Sequence, residues 1–109
     1  MPTVEDSGTQ TATLTTEHTL TTQNDSKTFQ ALVDCSNLQD DEYVTVRVKT
    51  KILSGGTTRI VQKLTYNAFD AAINPILMSA PVMSDQEYVV TLEQNNGTGR
   101  SFPWKVLSP

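Results

Sequence analysis

The sequence predicts an all-β fold, an antiparallel β-sandwich of about seven or eight short strands, Ig-like or jelly-roll-like. Three observations carry that expectation. Thr occurs 17 times in 109 residues, and β-branched side chains favour a pleated, half-exposed surface over a helix. Several segments alternate between apolar and polar residues, the period of a strand with one face on a core. Turn-forming clusters separate those segments at roughly ten-residue intervals, and no long helical pattern interrupts them.

Residues 1–9 are polar, contain Gly8 and show no period, so they predict a flexible N-terminal arm ahead of a single domain over 10–109. The Thr-dense stretches 11–16 and 18–22 read as two short strands or one bent one, closed by a turn at 23–26. Segment 28–34 alternates, with Phe29, Ala31 and Val33 on one side, and 37–42 is a polar, acidic turn interrupted by Leu38. The clearest strand is 43–52, where Val44, Val46, Val48, Thr50 and Ile52 share one face and Tyr43, Thr45, Arg47, Lys49 and Lys51 the other.

A second strand follows over 59–66. Pairing Ile52 with Ile60, Val48 with Leu64 and Val46 with Tyr66 keeps the apolar residues on one side and centres the turn on Gly56. The Gly55-Gly56 pair then supplies positive φ for an odd-length loop, with no phosphate-binding role. Residues 67–74 predict one short helical turn, and the proline-flanked segment 76–83 an edge strand. Strands over 86–94 and 101–107 flank Asn95-Asn96-Gly97-Thr98-Gly99. Read as a hairpin, they align Leu92 with Phe102, Val90 with Trp104 and Tyr88 with Val106, with Pro103 outward at an edge or a break.

The counts exclude several chemistries. One Cys makes no disulfide framework, and one Cys with one His makes no Cys/His zinc site. Eight Lys and Arg against twelve Asp and Glu give a net charge of −4, which argues against attraction to nucleic acid. The start of the chain has neither a basic cluster nor an apolar run, so no secretory signal is expected. The run Ile76-Leu77-Met78 is too short to span a bilayer. Cys35 reads as a small buried hydrophobe in a chain made in a reducing cytosol. His18 reads as an exposed strand residue, Asp40-Asp41-Glu42 as a solvated loop lacking calcium-ligand spacing, and the sequon Asn96-Gly97-Thr98 as a turn. The expectation is a non-enzymatic protein with no cofactor, no metal, no small-molecule substrate and no membrane partner.

The sharpest feature is electrostatic. Arg47, Lys49 and Lys51 share an outward face, and Lys63 stands opposite Lys49 in the expected register. Such a strip is either a solvated guard against edge pairing or a docking surface for an acidic protein. Nucleic acid fits it less well, because Tyr43 is the one aromatic residue beside it.

Two segments carry a family resemblance. Tyr43-Val44-Thr45-Val46-Arg47-Val48-Lys49-Thr50-Lys51-Ile52-Leu53-Ser54-Gly55-Gly56-Thr57-Thr58-Arg59 is a basic strand running into a Gly-Gly turn. Thr91-Leu92-Glu93-Gln94-Asn95-Asn96-Gly97-Thr98-Gly99-Arg100-Ser101-Phe102-Pro103-Trp104-Lys105-Val106 closes the chain. With the Thr-rich start, these resemble small virion structural proteins of tailed bacteriophages over residues 28–107. The acidic turn and the segment 76–83 depart from that pattern. The resemblance implies a β-sandwich on the virion, in its favoured form a capsid decoration (cement) protein made in the host cytoplasm. Such a protein binds the major capsid protein on the outer capsid lattice and forms homo-oligomers, dimers or trimers. Contacts are then expected from the arm, with Thr3, Val4 and Glu5, and from Arg47, Lys49, Lys51 and Lys63. The alternatives are a tail or head-completion subunit, or a carbohydrate-binding or adhesion module. The last is disfavoured because Phe102 and Trp104 are expected to face inward, leaving Tyr43 as the main outward ring.

Overall fold

The strict alternation of Val44, Val46 and Val48 with polar neighbours has the expected consequence: all three valines are fully buried on one face of β4 (Tyr43–Thr50). The computed structural model describes residues 2–109. Around β4 the chain builds two antiparallel sheets. The second sheet has the order β2-β8-β4-β5, with β2 (His18–Gln23), β5 (Arg59–Asn67) and β8 (Tyr88–Asn95). The first has the order β1-β9-β3-β6, with β1 (Thr3–Thr11), β3 (Lys27–Asp34), β6 (Ile76–Met78) and β9 (Ser101–Ser108). The short strand β7 (Val82–Ser84) also pairs with β3. A single-turn helix, α1 (Ala68–Ile73), joins β5 to β6, as the sequence predicts. Its start is closed by a reciprocal pair, Asn67 Oδ1 accepting from the Asp70 N–H and Asp70 Oδ2 from the Asn67 N–H.

The pairing follows one rule. If β6 and β7 count as one interrupted edge strand, β4 pairs with β5, β3 with β6 and β7, β2 with β8, and β1 with β9. These pairs nest like one long hairpin, and the hairpin is folded over so that successive pairs fall into opposite sheets. That is the jelly-roll order. The core lies between the sheets and is filled by Phe29, Ala31 and Val33, the three β4 valines, Tyr88, Val90 and Leu92, and Phe102 and Val106. The Phe29 and Tyr88 rings stack with centroids 4.7 Å apart.

Several local expectations need correction. The flexible arm is instead β1, paired with β9 from Thr3↔Ser108 to Thr11↔Ser101 around a bulge at Glu5. A backbone ladder needs no side-chain pattern, and this edge strand carries a single large apolar residue, Val4. The β4–β5 register is two residues from the expected one, with Val46 opposite Leu64 and Val44 opposite Tyr66, before a slip to Lys49↔Ile60. A two-residue shift preserves the faces, so the apolar pattern cannot distinguish the two. β4 therefore ends at Thr50, and Ile52 is exposed in the loop beyond it. Neither Gly55 nor Gly56 has positive φ; the glycine that does is Gly97.

The largest correction concerns the end of the chain. β8 and β9 do not form a hairpin: β8 sits between β2 and β4, and β9 sits between β1 and β3 in the other sheet. Pro103 is thus on an interior strand, one residue past the last β3–β9 pair, Val33↔Trp104, so no donor is missing from that ladder. Trp104 is half-buried against the core, with its indole against Gly8 of β1. The expected edge strand over 76–83 is real but broken in two. At the break Ser79 substitutes for strand backbone, its Oγ accepting from the Ala31 N–H and its N–H donating to the Ala31 carbonyl, both at 2.9 Å.

The core supports one direct test. Tyr88 is fully buried, and among the described residues its hydroxyl makes no hydrogen bond of normal geometry, Ser79 being the polar group on that side. Tyr88→Phe keeps the ring stack and should leave stability unchanged or raise it by about 0.5–1 kcal/mol. Tyr88→Ala should cost about 3–5 kcal/mol. Urea unfolding of both variants checks this pair of outcomes.

Candidate functional site

A sandwich offers a partner two broad faces, and here they differ in chemistry. On the second sheet the outward residues of β4 are Thr45, Arg47 and Lys49. The Arg47 guanidinium donates to Glu93 on β8 at 2.9 Å and lies 3.9 Å from Glu17. Lys49 Nζ donates to Glu17 Oε2 at 2.8 Å, and Thr91 Oγ1 donates to the same oxygen at 2.5 Å. The Lys49 ammonium, then the Thr91 hydroxyl, hold the Glu17 carboxyl below its ordinary range. Two of the four cations named from sequence are thus neutralised within the chain. Lys63 stands opposite Arg47, not Lys49, and Lys51 lies in the loop past β4. Among the described residues neither makes a salt bridge.

Thr3, Val4 and Glu5 lie in β1. Glu5 occupies the bulge and accepts from Lys27 Nζ at 2.7 Å and from Ser108 Oγ at 2.5 Å, tying β1 to β3 and β9. Lys27, then Ser108, lower its carboxyl pKa. Of the three residues named in the arm, Val4 is the large apolar group left open to solvent.

The outer face of the first sheet is mostly uncharged, with Lys105 and Asp34 as charged side chains on it. The pairings place Val4, Leu107 and Gln30 in one cross-strand row, and Ser7, Lys105, Leu32 and Met78 in the next. Past that row Pro103 and Ile76 border a groove of about 320 Å³, which Leu32, Asp34, Trp104 and Lys105 also line. Ile76, Met78 and Met83 are all well exposed. Of these, the sequence points to segment 76–83 alone, which reads either as an exposed apolar patch for a subunit interface or as a buried edge strand. Three consecutive apolar residues in a strand, Ile76-Leu77-Met78, must put apolar groups on both sheet faces. Leu77 is fully buried, and its two neighbours point out.

Asp40 and Asp41 are exposed, as a solvated loop requires, but Glu42 is not. Glu42 is 2% exposed. Its carboxylate accepts from Arg100 Nε and Nη2 at 2.9 Å, the Thr98 N–H at 3.0 Å and the Gln39 N–H at 2.8 Å. Fully buried Gln94 completes the lock, its Nε2 donating to the Thr98 carbonyl and its Oε1 accepting from the Arg100 N–H, both at 2.8 Å. The backbone of Gly97, at φ 74°, passes so close that a Cβ there would fall on the Glu42 carboxylate. Beside this turn, Asp40, Asp41, Tyr43, Asn67 and Phe69 line an open cleft of about 480 Å³.

The remaining reactive groups are placed structurally. His18 is half-buried, and its Nε2 accepts the Thr13 N–H at 2.9 Å, which occupies the lone pair a general base would need. Cys35 is buried, and burial pushes its thiol up to about 12, far from a nucleophile's range. Among the described residues no three His, Cys, Asp or Glu side chains converge as a metal-ligand set. No described helix is long and apolar enough to cross a membrane. The chain matches no known family model, no curated protein and no solved structure.

The Glu42 lock predicts a pH dependence. The Arg100 guanidinium foremost, then the Thr98 and Gln39 amides, hold the Glu42 carboxyl down from 4.5 to about 2 against the opposing effect of burial. A depressed carboxyl stabilises the fold fully above its unfolded value, and that stability drains as pH falls from 4.5 toward 2. Glu42→Gln should cost about 1–3 kcal/mol at neutral pH and flatten the acid limb of the stability profile. Urea midpoints measured across the acid range test both effects.

Proposed function

We propose that this protein is a non-catalytic structural subunit that works by contact, docking through the outer face of its first sheet onto a protein lattice. The observation that carries the proposal is the contrast between the faces. The second sheet spends Arg47 and Lys49 on its own Glu93 and Glu17 and is suited to remain in water. The first presents Leu32, Ile76, Met78, Pro103 and Leu107 around the two charged groups Lys105 and Asp34, an apolar patch with a few charges of the kind a contact surface uses. The molecule is a slab with extents of 41 × 32 × 19 Å. Its broad face can accommodate the ~800 Å² per partner that a stable interface uses.

The lattice we favour is the outer capsid of a tailed bacteriophage, with the chain as a decoration protein on the major capsid protein. The resemblance of the two segments described above supports that choice. The jelly-roll order is compatible with it, although a fold by itself assigns no function. A homo-oligomer would use the same face or the exposed edge at β6 and β7. A tail or head-completion subunit would need the same kind of surface.

One observation favours a second reading, a carbohydrate-binding module. Phe69 is 73% exposed and, with Tyr43, Asp40 and Asn67, lines the cleft beside the acidic turn. Aromatic faces beside polar groups are what a sugar ring needs.

Electron microscopy of the particle with which the native protein co-purifies tests the first reading. The expected image has the first sheet's outer face against the capsid and the Arg47 face toward solvent. Met78→Glu, at an exposed site, should leave the fold intact and lower occupancy at least about tenfold, since burying an unpaired charge costs well over 1.4 kcal/mol. Lys63→Glu should leave occupancy unchanged. Seating through the Arg47 face would overturn the assignment of surfaces, and glycan binding lost in Tyr43→Ala would favour the second reading.

A further inference from the structure

The crossover from β8 to β9 contains a reaction site that none of the roles above uses. Asn96 is exposed, and it precedes Gly97. Both residues have left-handed backbone, φ 65° and 74°. Among the described residues, neither the Asn96 side-chain amide nor the Gly97 N–H has a hydrogen-bond partner. An amide electrophile and an unhindered backbone nitrogen are therefore adjacent, uncommitted and open to water.

We propose that Asn96–Gly97 is a self-modification site, at which Asn96 is converted to isoaspartate and aspartate, and that the Glu42–Gln94 lock sets its rate. The Gly97 backbone nitrogen attacks Asn96 Cγ. A new C–N bond forms, the Cγ–Nδ2 bond breaks, and ammonia leaves with the proton lost from the Gly97 amide. The product is a five-membered succinimide. Water then opens the ring at either carbonyl. One opening restores the normal backbone as Asp; the other routes the chain through the side chain as isoaspartate. The net change consumes one water and releases one ammonia, with no oxidant or cofactor.

The gate follows from what the turn must give up. Attack requires rotation about the Asn96 backbone. That rotation draws the Asn96 carbonyl from Gln94 Nε2, which it meets at 3.3 Å, and strains the Thr98 N–H bond to Glu42. While both acceptors are engaged, the reactive geometry is rare. After reaction the same contacts are compromised. Isoaspartate inserts a methylene into the segment that presents the Asn96 and Thr98 carbonyls to Gln94, and either product adds a carboxylate next to Gly97, whose backbone lies against the buried Glu42 carboxylate. The reaction is irreversible, so it records the age of the folded chain at a position that fastens the two sheets together.

The test is a time course of the native protein at mildly alkaline pH and body temperature, followed by peptide mapping that separates Asp from isoaspartate. Asn96 should convert ahead of Asn24 and Asn37, which precede bulkier residues. In Glu42→Gln the Asn96 rate should rise about tenfold, roughly the factor for one lost hydrogen bond, with Asn24 unchanged. If that variant proves unfolded, the ratio of the native rate to the rate in urea reads the same gate, and the native rate should be the slower. Converted protein should melt below unconverted protein and below Asn96→Asp, which carries the charge without the rerouted backbone. Asn96 converting no faster than Asn24 would overturn the site. Equal Asn96 rates in native and unlocked chains would overturn the gate.

Discussion

Glu42 commits both carboxylate oxygens to groups brought from two segments: the Gln39 N–H just before it, and the Thr98 N–H and Arg100 guanidinium of the β8–β9 crossover. The crossover needs such an anchor. Between Asn95 and Ser101 the chain must leave the centre of one sheet and enter the centre of the other, a gap of about 10 Å. In doing so it turns backbone groups inward, where water cannot satisfy them. Glu42 and Gln94 supply the missing acceptors and donors, so the nested strand order and the buried polar lock are one constraint seen at two levels.

That constraint also decides which surfaces remain for partners. With β8 central in the second sheet, its Glu93 lies beside Arg47, and Glu17 ahead of β2 reaches Lys49 and Thr91. Arg47 and Lys49 on that face are thus consumed in local pairs, which leaves Lys63 as its cation without a salt bridge among the described residues. With β9 central in the first sheet, Pro103 and Leu107 join Leu32, Ile76 and Met78 on a face where little is consumed. The adhesive surface we assign is therefore a product of the crossover, since a simple β8–β9 hairpin would have put Glu93 and Lys105 in one sheet.

How much of this could be read from sequence depended on where each residue finds its partner. β4 was legible because it is flanked on both sides and buried on one face, so its valines alternate without exception. The fold class followed from the same periodicity. The partner of β8 was not legible: alternation fixes which side chains point inward and says nothing about which strand lies alongside. β1 was missed because its ladder is made of backbone and its anchors, Glu5 with Lys27 and Ser108, join residues 22 and 103 positions apart. Glu42 was misread as solvated because its cation is 58 positions away. The basic strip was visible as a pattern, but Glu17 and Glu93, which neutralise half of it, become its neighbours only when the sheet is formed.

Native-state hydrogen exchange at the Gln39, Thr98 and Arg100 amides tests the central claim most directly, because these donors complete the lock. If the lock and the sheets are one cooperative unit, these amides exchange only when the core amides of β4 and β8 do, at the free energy of global unfolding. Fast exchange at Thr98 and Arg100, with β4 and β8 still protected, would mean that the crossover opens on its own and that Glu42 does not organise the fold.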